Sequence, residues 1–255
     1  MQLVMPGSIV CEKGHCFDLS KSGYLNFLPG TGSTDYTSQL FEARRRVFAA
    51  GIYDSLLNAL GEVLLPLSDA YTGLRVLDAG CGEGFFASSL SERMNGSTVF
   101  GLDIAKYAIQ MAAKSYKAVT WLVGDVANLP FLSGSIDVIL NILTPANYAE
   151  FTRVLSQDGV LIKVIPGAQY LKELRSAAKE DLRRNTYSNV SVVQHLQEHM
   201  VCQHSVSVCN VYSLPHGAAQ DMSRMTPMLS HMQKPLTADL THITIDLEVL
   251  VCSRK

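Results

Sequence analysis

The sequence predicts an α/β fold in which helices cover both faces of a mainly parallel sheet. Two observations support this prediction. Short apolar runs alternate with helical patterns through most of the chain, as expected for strands joined by crossover helices. In addition, the apolar run at residues 74–79 leads directly into a glycine-rich segment, residues 80–84, after which a helical pattern begins. A strand, glycine turn and helix in this order is typical of α/β domains that bind a nucleotide-like cofactor.

The chain divides into an irregular module, residues 1–35, and a larger domain, residues 36–255. Two helices are predicted at the start of the larger domain, at 38–50 and 53–65. A charged helix is predicted at 168–184. The sheet is predicted to contain seven strands, at residues 74–79, 99–103, 119–123, 135–140, 160–165, 201–211 and 242–252. The last two strands are expected to form an antiparallel pair that closes the sheet.

Composition limits the class of protein. The chain has 255 residues, of which 47% are hydrophobic and 17% are charged, enough to bury a full core. It contains no apolar run of about 18 residues and its first residues lack the pattern of a signal peptide, so a cytoplasmic protein without a membrane segment is expected. Six cysteines without a disulfide spacing agree with a reducing compartment. The net charge of −2 argues against a uniformly basic nucleic-acid-binding surface but leaves room for a local basic face.

The glycine segment and the acids around it predict a cofactor site. Asp78 precedes Gly80, Gly82 and Gly84, whose lack of Cβ atoms allows the backbone to bend closely against a flat ligand. Asp103 ends the next predicted strand, nineteen positions after Gly84, where a carboxylate could bind two ribose hydroxyls. These features alone would also fit an NAD-binding enzyme.

A third segment favours a different cofactor. Asp125 ends the third predicted strand and is followed by the turn Asn-Leu-Pro-Phe, and Ile136-Asp137 opens the fourth strand. Together with the spacing Asp-x-Gly-x-Gly-x-Gly, these residues resemble the class I methyltransferases, which have a Rossmann-like fold. The resemblance implies that S-adenosylmethionine is the cofactor.

The first fifty residues narrow the resemblance. The segments Cys11-x-x-x-His15-x-Phe-Asp, Lys21-x-Gly-Tyr-Leu-Asn-Phe-Leu-Pro and Phe41-Glu-Ala-Arg-Arg are similar to those of bacterial 23S rRNA (guanine-N1)-methyltransferases. This family joins an amino-terminal zinc module to a class I domain. The resemblance implies methyl transfer to N1 of a guanine in a 23S rRNA hairpin by a homodimer, and it leaves a role in antibiotic resistance open. A methyltransferase of small molecules and a noncatalytic cofactor-binding or RNA-binding relative remain as alternatives.

The motifs and the resemblance together specify a set of site residues. The glycine segment is expected at the amino-acid end of the cofactor, Asp103 at the ribose and Asp125 near the adenine. The cofactor-binding residues are predicted to be Tyr53, Asp78, Gly80, Gly82, Glu83, Gly84, Asp103, Ile104, Asp125, Val126 and Tyr170. Asn141, at the end of the fourth strand, is a candidate for base recognition. The sequence does not identify the group that accepts the proton released from guanine.

The predicted zinc module is incomplete. Cys11 and His15 supply one ligand pair, but the Cys-x-x-Cys pair that the family places ahead of them is absent, so either the start is truncated or the metal has been lost. Cys16, Cys202, Cys209 or a second chain would have to complete the shell. Less than one zinc per subunit is therefore expected.

Two basic segments could contact RNA phosphates. Arg44, Arg45 and Arg46 are consecutive in a predicted helix, so a solvated face is an equally good interpretation. The second segment is a stripe at helical spacing that acidic residues interrupt, and it consists of Lys172, Arg175, Lys179, Arg183 and Arg184. Three histidines near the end of the chain, His195, His199 and His204, match no catalytic zinc motif and are interpreted as ordinary surface or core residues.

Overall fold

The structure is a computed structural model and describes residues 2–5, 7–11, 13–28, 36–70, 73–94, 96–178, 189–226, 229 and 240–255. The strands in this part of the chain are β1 (Gln2–Met5), β2 (Ser8–Val10), β3 (Cys16–Asp18), β4 (Tyr24–Asn26), β5 (Arg75–Ala79), β6 (Thr98–Asp103), β7 (Thr120–Val123), β8 (Ile136–Ile142), β9 (Leu155–Pro166), β10 (Met200–Ser213) and β11 (His242–Arg254). The helices are α1 (Ser38–Ala49), α2 (Asp54–Ala70), α3 (Phe85–Ser91), α4 (Lys106–Ser115), α5 (Tyr148–Val154), α6 (Lys172–Ala177), α7 (Val190–His199) and α8 (Ala218–Met225).

The larger sheet has eight described strands in the order β10-β11-β9-β8-β5-β6-β7-β4. The strands from β9 to β4 in this order run parallel, whereas β11 is antiparallel to both β9 and β10. The connections change direction at β5, because β6 and β7 continue on one side of it while β8 and β9 lie on the other. Ligands of parallel α/β sheets bind at the carboxyl ends of the strands beside such a reversal.

The prediction of seven strands is wrong by one strand. β4, from the amino-terminal segment, pairs in parallel with β7 and places Tyr24 opposite Trp121 and Asn26 opposite Val123. Tyr24 is buried in this position. A strand of three residues is too short to show an alternating pattern, so its pairing could not be predicted from the sequence. The strands before it form a separate antiparallel sheet, β1-β2-β3.

The chain bends sharply between α1 and α2, beside the larger sheet. The Thr37 hydroxyl caps α1 by accepting a hydrogen bond from Leu40 N at 3.3 Å. Gly51, between the helices, has a φ of 76°, a backbone conformation that is strained for residues other than glycine. Within the described residues, no single helix is both long and apolar enough to cross a membrane, and α1 with α2 meets that test only as a pair bent by 78°.

The charged helix predicted at 168–184 begins later than expected. Gly167 N donates to Asp246 O at 2.7 Å and holds the chain in a turn after β9. Leu171 then takes a φ of 53°, a left-handed conformation that interrupts a right-handed helix. α6 therefore starts only after this residue, and the predicted residues 179–184 lie outside the described part of the chain. α7 was not predicted.

Apolar side chains pack as two layers on opposite faces of the larger sheet. Neighbouring residues of a strand belong to different layers: Val76 and Val138 lie in one, and Leu77 and Ile139 in the other. Both members of each pair are buried, as expected for parallel strands covered on both faces. Trp121 is also buried, and its indole Nε1 donates to a backbone carbonyl at 2.8 Å. The sheet is thereby a rigid support for the loops at its carboxyl edge.

Candidate active site

A cavity of about 420 Å³ lies at the carboxyl edge of the sheet, beside the loops that follow β5, β6, β7 and β8. This volume is within the range of roughly 300–1,000 Å³ for small-molecule sites. Most of the predicted cofactor-binding residues line it, namely Tyr53, Gly80, Asp103, Ile104, Asp125, Val126 and Tyr170. Its wall also contains side chains that the sequence motifs did not assign to the cofactor, including Phe41, Arg44, Phe48, Leu143, Thr144 and Pro145.

Two glycines of the loop between β5 and α3 have different surroundings. Gly80 lies on the cavity wall with a φ of 86°, and a Cβ atom there would be 2.8 Å from the Thr144 side chain. Gly84 has a φ of 88°, and a Cβ atom there would be 2.4 Å from the ring of Trp121. Gly84 thus allows close packing of the start of α3 on Trp121, whereas Gly80 allows close packing of the glycine loop against Thr144 in the cavity wall.

Asp103 is oriented by the same loop. Its two carboxylate oxygens accept hydrogen bonds from Gly82 N and Ala105 N, each at 2.8 Å. Burial raises the pKa of Asp103, and both hydrogen bonds oppose the rise because they favour the charged form. Each oxygen keeps a further lone pair, so the carboxylate can still accept hydrogen bonds from ligand hydroxyls.

Arg44 and Glu83 form an ion pair next to the cavity. Arg44 Nε lies 3.5 Å from Glu83 Oε2, and the guanidinium lies 5.3 Å from the ring centre of Phe48. Glu83 is 1% exposed, and neither of its carboxylate oxygens accepts a hydrogen bond from another described residue. Burial raises the pKa of Glu83, and the charge of Arg44 opposes that rise. Arg44 lines the cavity and Glu83 does not, so the guanidinium is the charge of this pair that a ligand carboxylate can reach.

Four predicted cofactor-binding residues are not on the described cavity wall: Asp78, Gly82, Glu83 and Gly84. Asp78 is 2% exposed and lies behind the glycine loop. Burial raises the pKa of Asp78 to about 7, and the charge of Arg44 opposes the rise. These residues support the shape and charge of the loop, and Gly80 is the glycine that faces the cavity.

Tyr53 and Tyr170 close one end of the cavity. Their hydroxyl oxygens are 2.6 Å apart, and the Tyr53 ring packs edge-on against Phe48 with ring centres 5.0 Å apart. Burial raises the pKa of Tyr53 well above its usual value, and the neighbouring Tyr170 adds to the rise. Tyr53 is therefore a neutral phenol at physiological pH, suited to hydrogen bonding and unable to act as a base.

Asn141 does not occupy the position expected for base recognition. It is fully buried, and its Nδ2 donates to Ala79 O and Pro145 O at 3.1 Å and to Thr144 Oγ1 at 2.6 Å. Its Oδ1 accepts a hydrogen bond from Lys163 Nζ at 2.5 Å. Both ends of the amide are thus engaged within the protein, which argues against contact with a substrate base. Asn141 instead joins the end of β5 to the loop after β8.

Lys163 is a buried part of the same network, and no sequence motif pointed to it. Its ammonium group also donates to Thr144 O at 2.6 Å, and the side chain is 4% exposed. Burial lowers the pKa of Lys163 to about 8. Leu143, in the loop that Lys163 supports, has a φ of 54°. A left-handed leucine is unfavourable, so the network holds the cavity wall in a conformation that the loop alone would not favour.

Cys11 and His15 remain a pair of ligands. Cys11 Sγ is 3.3 Å from His15 Nδ1. Cys202 and Cys209 lie on β10, at the opposite edge of the larger sheet from β4, which excludes them as ligands to the Cys11–His15 pair of the same chain. Among the described residues, no third His, Cys, Asp or Glu joins this pair in a ligand cluster, Cys16 included. The described residues do not fit a closed zinc site with four ligands.

The three arginines of α1 do not form a common phosphate-binding face. Arg44 faces the cavity, whereas Arg45 Nη2 donates to Ser115 Oγ at 3.0 Å. Arg46 makes two hydrogen bonds of 2.7 Å to the carboxylate of Asp221. In the second basic segment, Lys172 and Arg175 lie on α6, and the other three residues are outside the described part of the chain.

Comparisons with known proteins identify the family of the chain. The profile of the methyltransferase domain family matches residues 76–159, and the profile described as RlmA, N-terminal matches residues 4–31. The chain is also similar to YxjB of Bacillus subtilis, which is named as a putative 23S rRNA (guanine-N(1)-)-methyltransferase. The two are 37% identical over 257 residues, which cover 96% of this chain and 90% of YxjB. The chain belongs to this methyltransferase family.

One further relative and one solved structure are also similar to this chain. The 23S rRNA (guanine(748)-N(1))-methyltransferase of Streptomyces fradiae is 28% identical over 224 residues, covering 87% of this chain and 79% of that protein. The solved structure of geranyl diphosphate methyltransferase in complex with SAM matches this chain with a TM-score of 0.50 at 16% sequence identity. The match covers 77% of this chain and 85% of the other chain, and it shows a similarity of fold. The protein is thus a methyltransferase that depends on S-adenosylmethionine, and the predicted fold class, family and cofactor are confirmed.

Proposed function

We propose that this protein transfers the methyl group of S-adenosylmethionine to N1 of a guanine in a 23S rRNA hairpin. The observation that carries the proposal is the similarity, over nearly the whole chain, to a relative named for that reaction. The match at residues 4–31 adds support, because a methyltransferase of small metabolites has little use for such a module. The cavity at the carboxyl edge of the sheet supports the proposal, because its volume suits a small-molecule cofactor.

Several side chains would hold the cofactor in this proposal. Arg44, which lines the cavity, would pair with the carboxylate of the cofactor, and the buried Glu83 would hold the guanidinium in place through their ion pair. Asp103 would accept hydrogen bonds from the ribose hydroxyls, and Asp125 with Val126 would border the adenine. The bound cofactor supplies an electrophilic methyl group on a sulfonium centre, so the protein needs to supply position and exclusion of water.

The guanine must be unpaired and oriented. Methyl transfer would exchange the C–S bond of the cofactor for an N–C bond, and the N1 proton would pass to water or to a basic group at the cavity. A base in a loop or bulge reaches an enzyme cavity at the smallest cost in stacking. Tyr36 and Ile104, at the cavity, are 42% and 41% exposed and offer apolar surface to such a base. The Tyr53 and Tyr170 hydroxyls share one hydrogen bond, so one hydroxyl proton of the pair remains for a bound ligand.

We further infer that the enzyme works on RNA as a homodimer in the cytoplasm, where ribosomes are assembled. The acidic net charge and the internal pairing of Arg45 and Arg46 leave one subunit with few free basic groups on α1. A second subunit would supply a further basic surface for the phosphates of a hairpin. Sedimentation of the protein with and without the hairpin tests this assembly.

Methylation of synthetic 23S hairpins tests the proposed reaction. Purified protein, labelled S-adenosylmethionine and hairpin RNA should yield labelled RNA and a stop in reverse transcription at one guanine, because a methyl group at N1 blocks the pairing edge of the base. The same hairpin with that guanine replaced by adenine is the control. Label that enters small molecules and not RNA would instead identify a metabolite enzyme. Cofactor binding without transfer to either would identify a noncatalytic relative.

A further inference from the structure

Three potential metal ligands lie together on α7, away from the cavity. His195, Glu198 and His199 are three and four positions apart, so they share one face of the helix. One ligand atom from each side chain lies within 4.8 Å of the other two. The sequence led us to interpret these histidines as ordinary surface or core residues, because the Glu198 carboxylate was not considered with them.

The hydrogen bonds of the cluster leave suitable donor atoms. His199 Nδ1 lies 3.0 Å from the backbone oxygen of His195. A neutral imidazole that donates from Nδ1 to a carbonyl presents its Nε2 lone pair to a metal, which is the usual arrangement of a histidine ligand. His195 Nδ1 lies 3.1 Å from Glu198 Oε2. Bonds of 2.0–2.2 Å to a tetrahedral ion place two such donors roughly 3.3 Å apart, so little movement is needed to admit one.

A buried aromatic ring supports both histidines. Tyr148, the first residue of α5, is 4% exposed. Its ring centre is 5.6 Å from that of His199, with the planes stacked at 28°, and 5.3 Å from that of His195. This packing restricts the rotation of the two imidazoles before an ion arrives. A ligand set that is already restricted loses less entropy on binding.

We propose that His195, Glu198 and His199 bind a divalent transition-metal ion such as Zn²⁺. Two imidazole nitrogens and one carboxylate oxygen are donors that zinc favours, and the partly exposed position leaves water as the fourth ligand. This site is distinct from the Cys11–His15 pair, because α7 leads into β10 at the opposite edge of the sheet from β4. A bound ion would link successive turns at the carboxyl end of α7.

Calorimetric titration with zinc chloride tests the proposal. The protein is first stripped of metal and carries Cys11→Ser and His15→Gln, so that the amino-terminal pair cannot contribute. One equivalent of zinc should bind, and adding His195→Gln with His199→Gln should lower the affinity by at least about tenfold. His204→Gln, an exposed histidine on β10, is the matched control and should leave the affinity unchanged.

Two further measurements distinguish zinc at the α7 cluster from zinc bound elsewhere on the protein. Zinc should raise the unfolding temperature of the protein with an intact α7 cluster and should leave that of the His195→Gln/His199→Gln variant unchanged. The same two substitutions in the otherwise unaltered chain should reduce bound zinc by one equivalent. The proposal would be overturned if the proteins with and without the two histidines bound zinc equally. It would also be overturned if the folded Cys11→Ser/His15→Gln protein bound no zinc.

Discussion

Replacing Arg44 by methionine should destabilise the fold and weaken cofactor binding for separable reasons. Glu83 is 1% exposed, and Arg44 is its only ion-pair partner among the described residues. Without the guanidinium, the Glu83 carboxylate must stay charged without a counter-charge or take up a proton. Both alternatives cost free energy of folding.

The structure sets the size of that cost. Removing one partner of a buried ion pair typically costs about 3–5 kcal/mol. The Arg44 side chain is 19% exposed and the pair is separated by 3.5 Å, so we expect a loss near the lower limit, about 3 kcal/mol at neutral pH. The loss should depend on pH. The charge of Arg44 opposes the rise in the pKa of Glu83, so its removal should raise the folded-state pKa of Glu83 further. The stability of the variant should therefore fall further behind that of the wild type as the pH rises from the folded-state pKa of Glu83 in the wild type to that in the variant.

Urea unfolding at acidic and slightly alkaline pH measures this effect. Arg45→Met is the matched control on the same helix, because Arg45 contacts Ser115 rather than the cavity, and its loss should be about 1 kcal/mol. Adding Glu83→Gln to Arg44→Met should restore stability but not the cofactor affinity measured by calorimetry. Equal losses for Arg44→Met and Arg45→Met at both pH values would refute the reasoning.

Three other substitutions test the loop, the buried lysine and the cavity wall. Gly84→Ala should destabilise the protein by at least about 2 kcal/mol in urea, because its Cβ would meet Trp121, whereas Gly96→Ala, with a similar positive φ but open space, should cost less. The pKa of Lys163 is lowered to about 8, so the unfolded chain binds more protons between this value and the ordinary pKa of lysine, and wild-type stability should rise through that window by roughly 3 kcal/mol. Lys163→Met should lack this rise in unfolding curves measured across the same window. Tyr53→Phe should weaken cofactor binding several-fold in calorimetry by removing one hydroxyl of the pair at the cavity, and unchanged affinity would exclude that hydroxyl from the site.

The sequence predicted best the positions of residues that belong to short motifs, because local backbone geometry fixes where such residues lie. Gly80 and Asp103 belong to short motifs at the ends of adjacent strands, so their spacing alone brings them to the same edge of the sheet. Asn141 was placed on that edge as well, but its partner could not be read from the sequence. The register of β8 with β9 sets Asn141 opposite Lys163, and this pairing turns its amide into the protein.

The other differences arise from contacts between distant segments. Arg44 faces the cavity because of the rotation of α1 against the sheet, although the spacing of Phe41, Arg44 and Phe48 along one helix face offered a signal. β4 joins the larger sheet through pairing with β7, a contact between segments separated by several helices and strands. The α7 cluster needed Glu198 to be considered together with its neighbouring histidines.

Mass mapping of 23S rRNA from cells with and without this gene tests the proposed reaction most directly. One guanine should carry the added mass of a single methyl group only when the gene is present, and reverse transcription should stop at that guanine. A gene encoding the Arg44→Met/Glu83→Gln protein should not restore the methyl group, even though the protein is expected to fold. Identical 23S rRNA masses in the two strains, at every guanine, would contradict the proposed function.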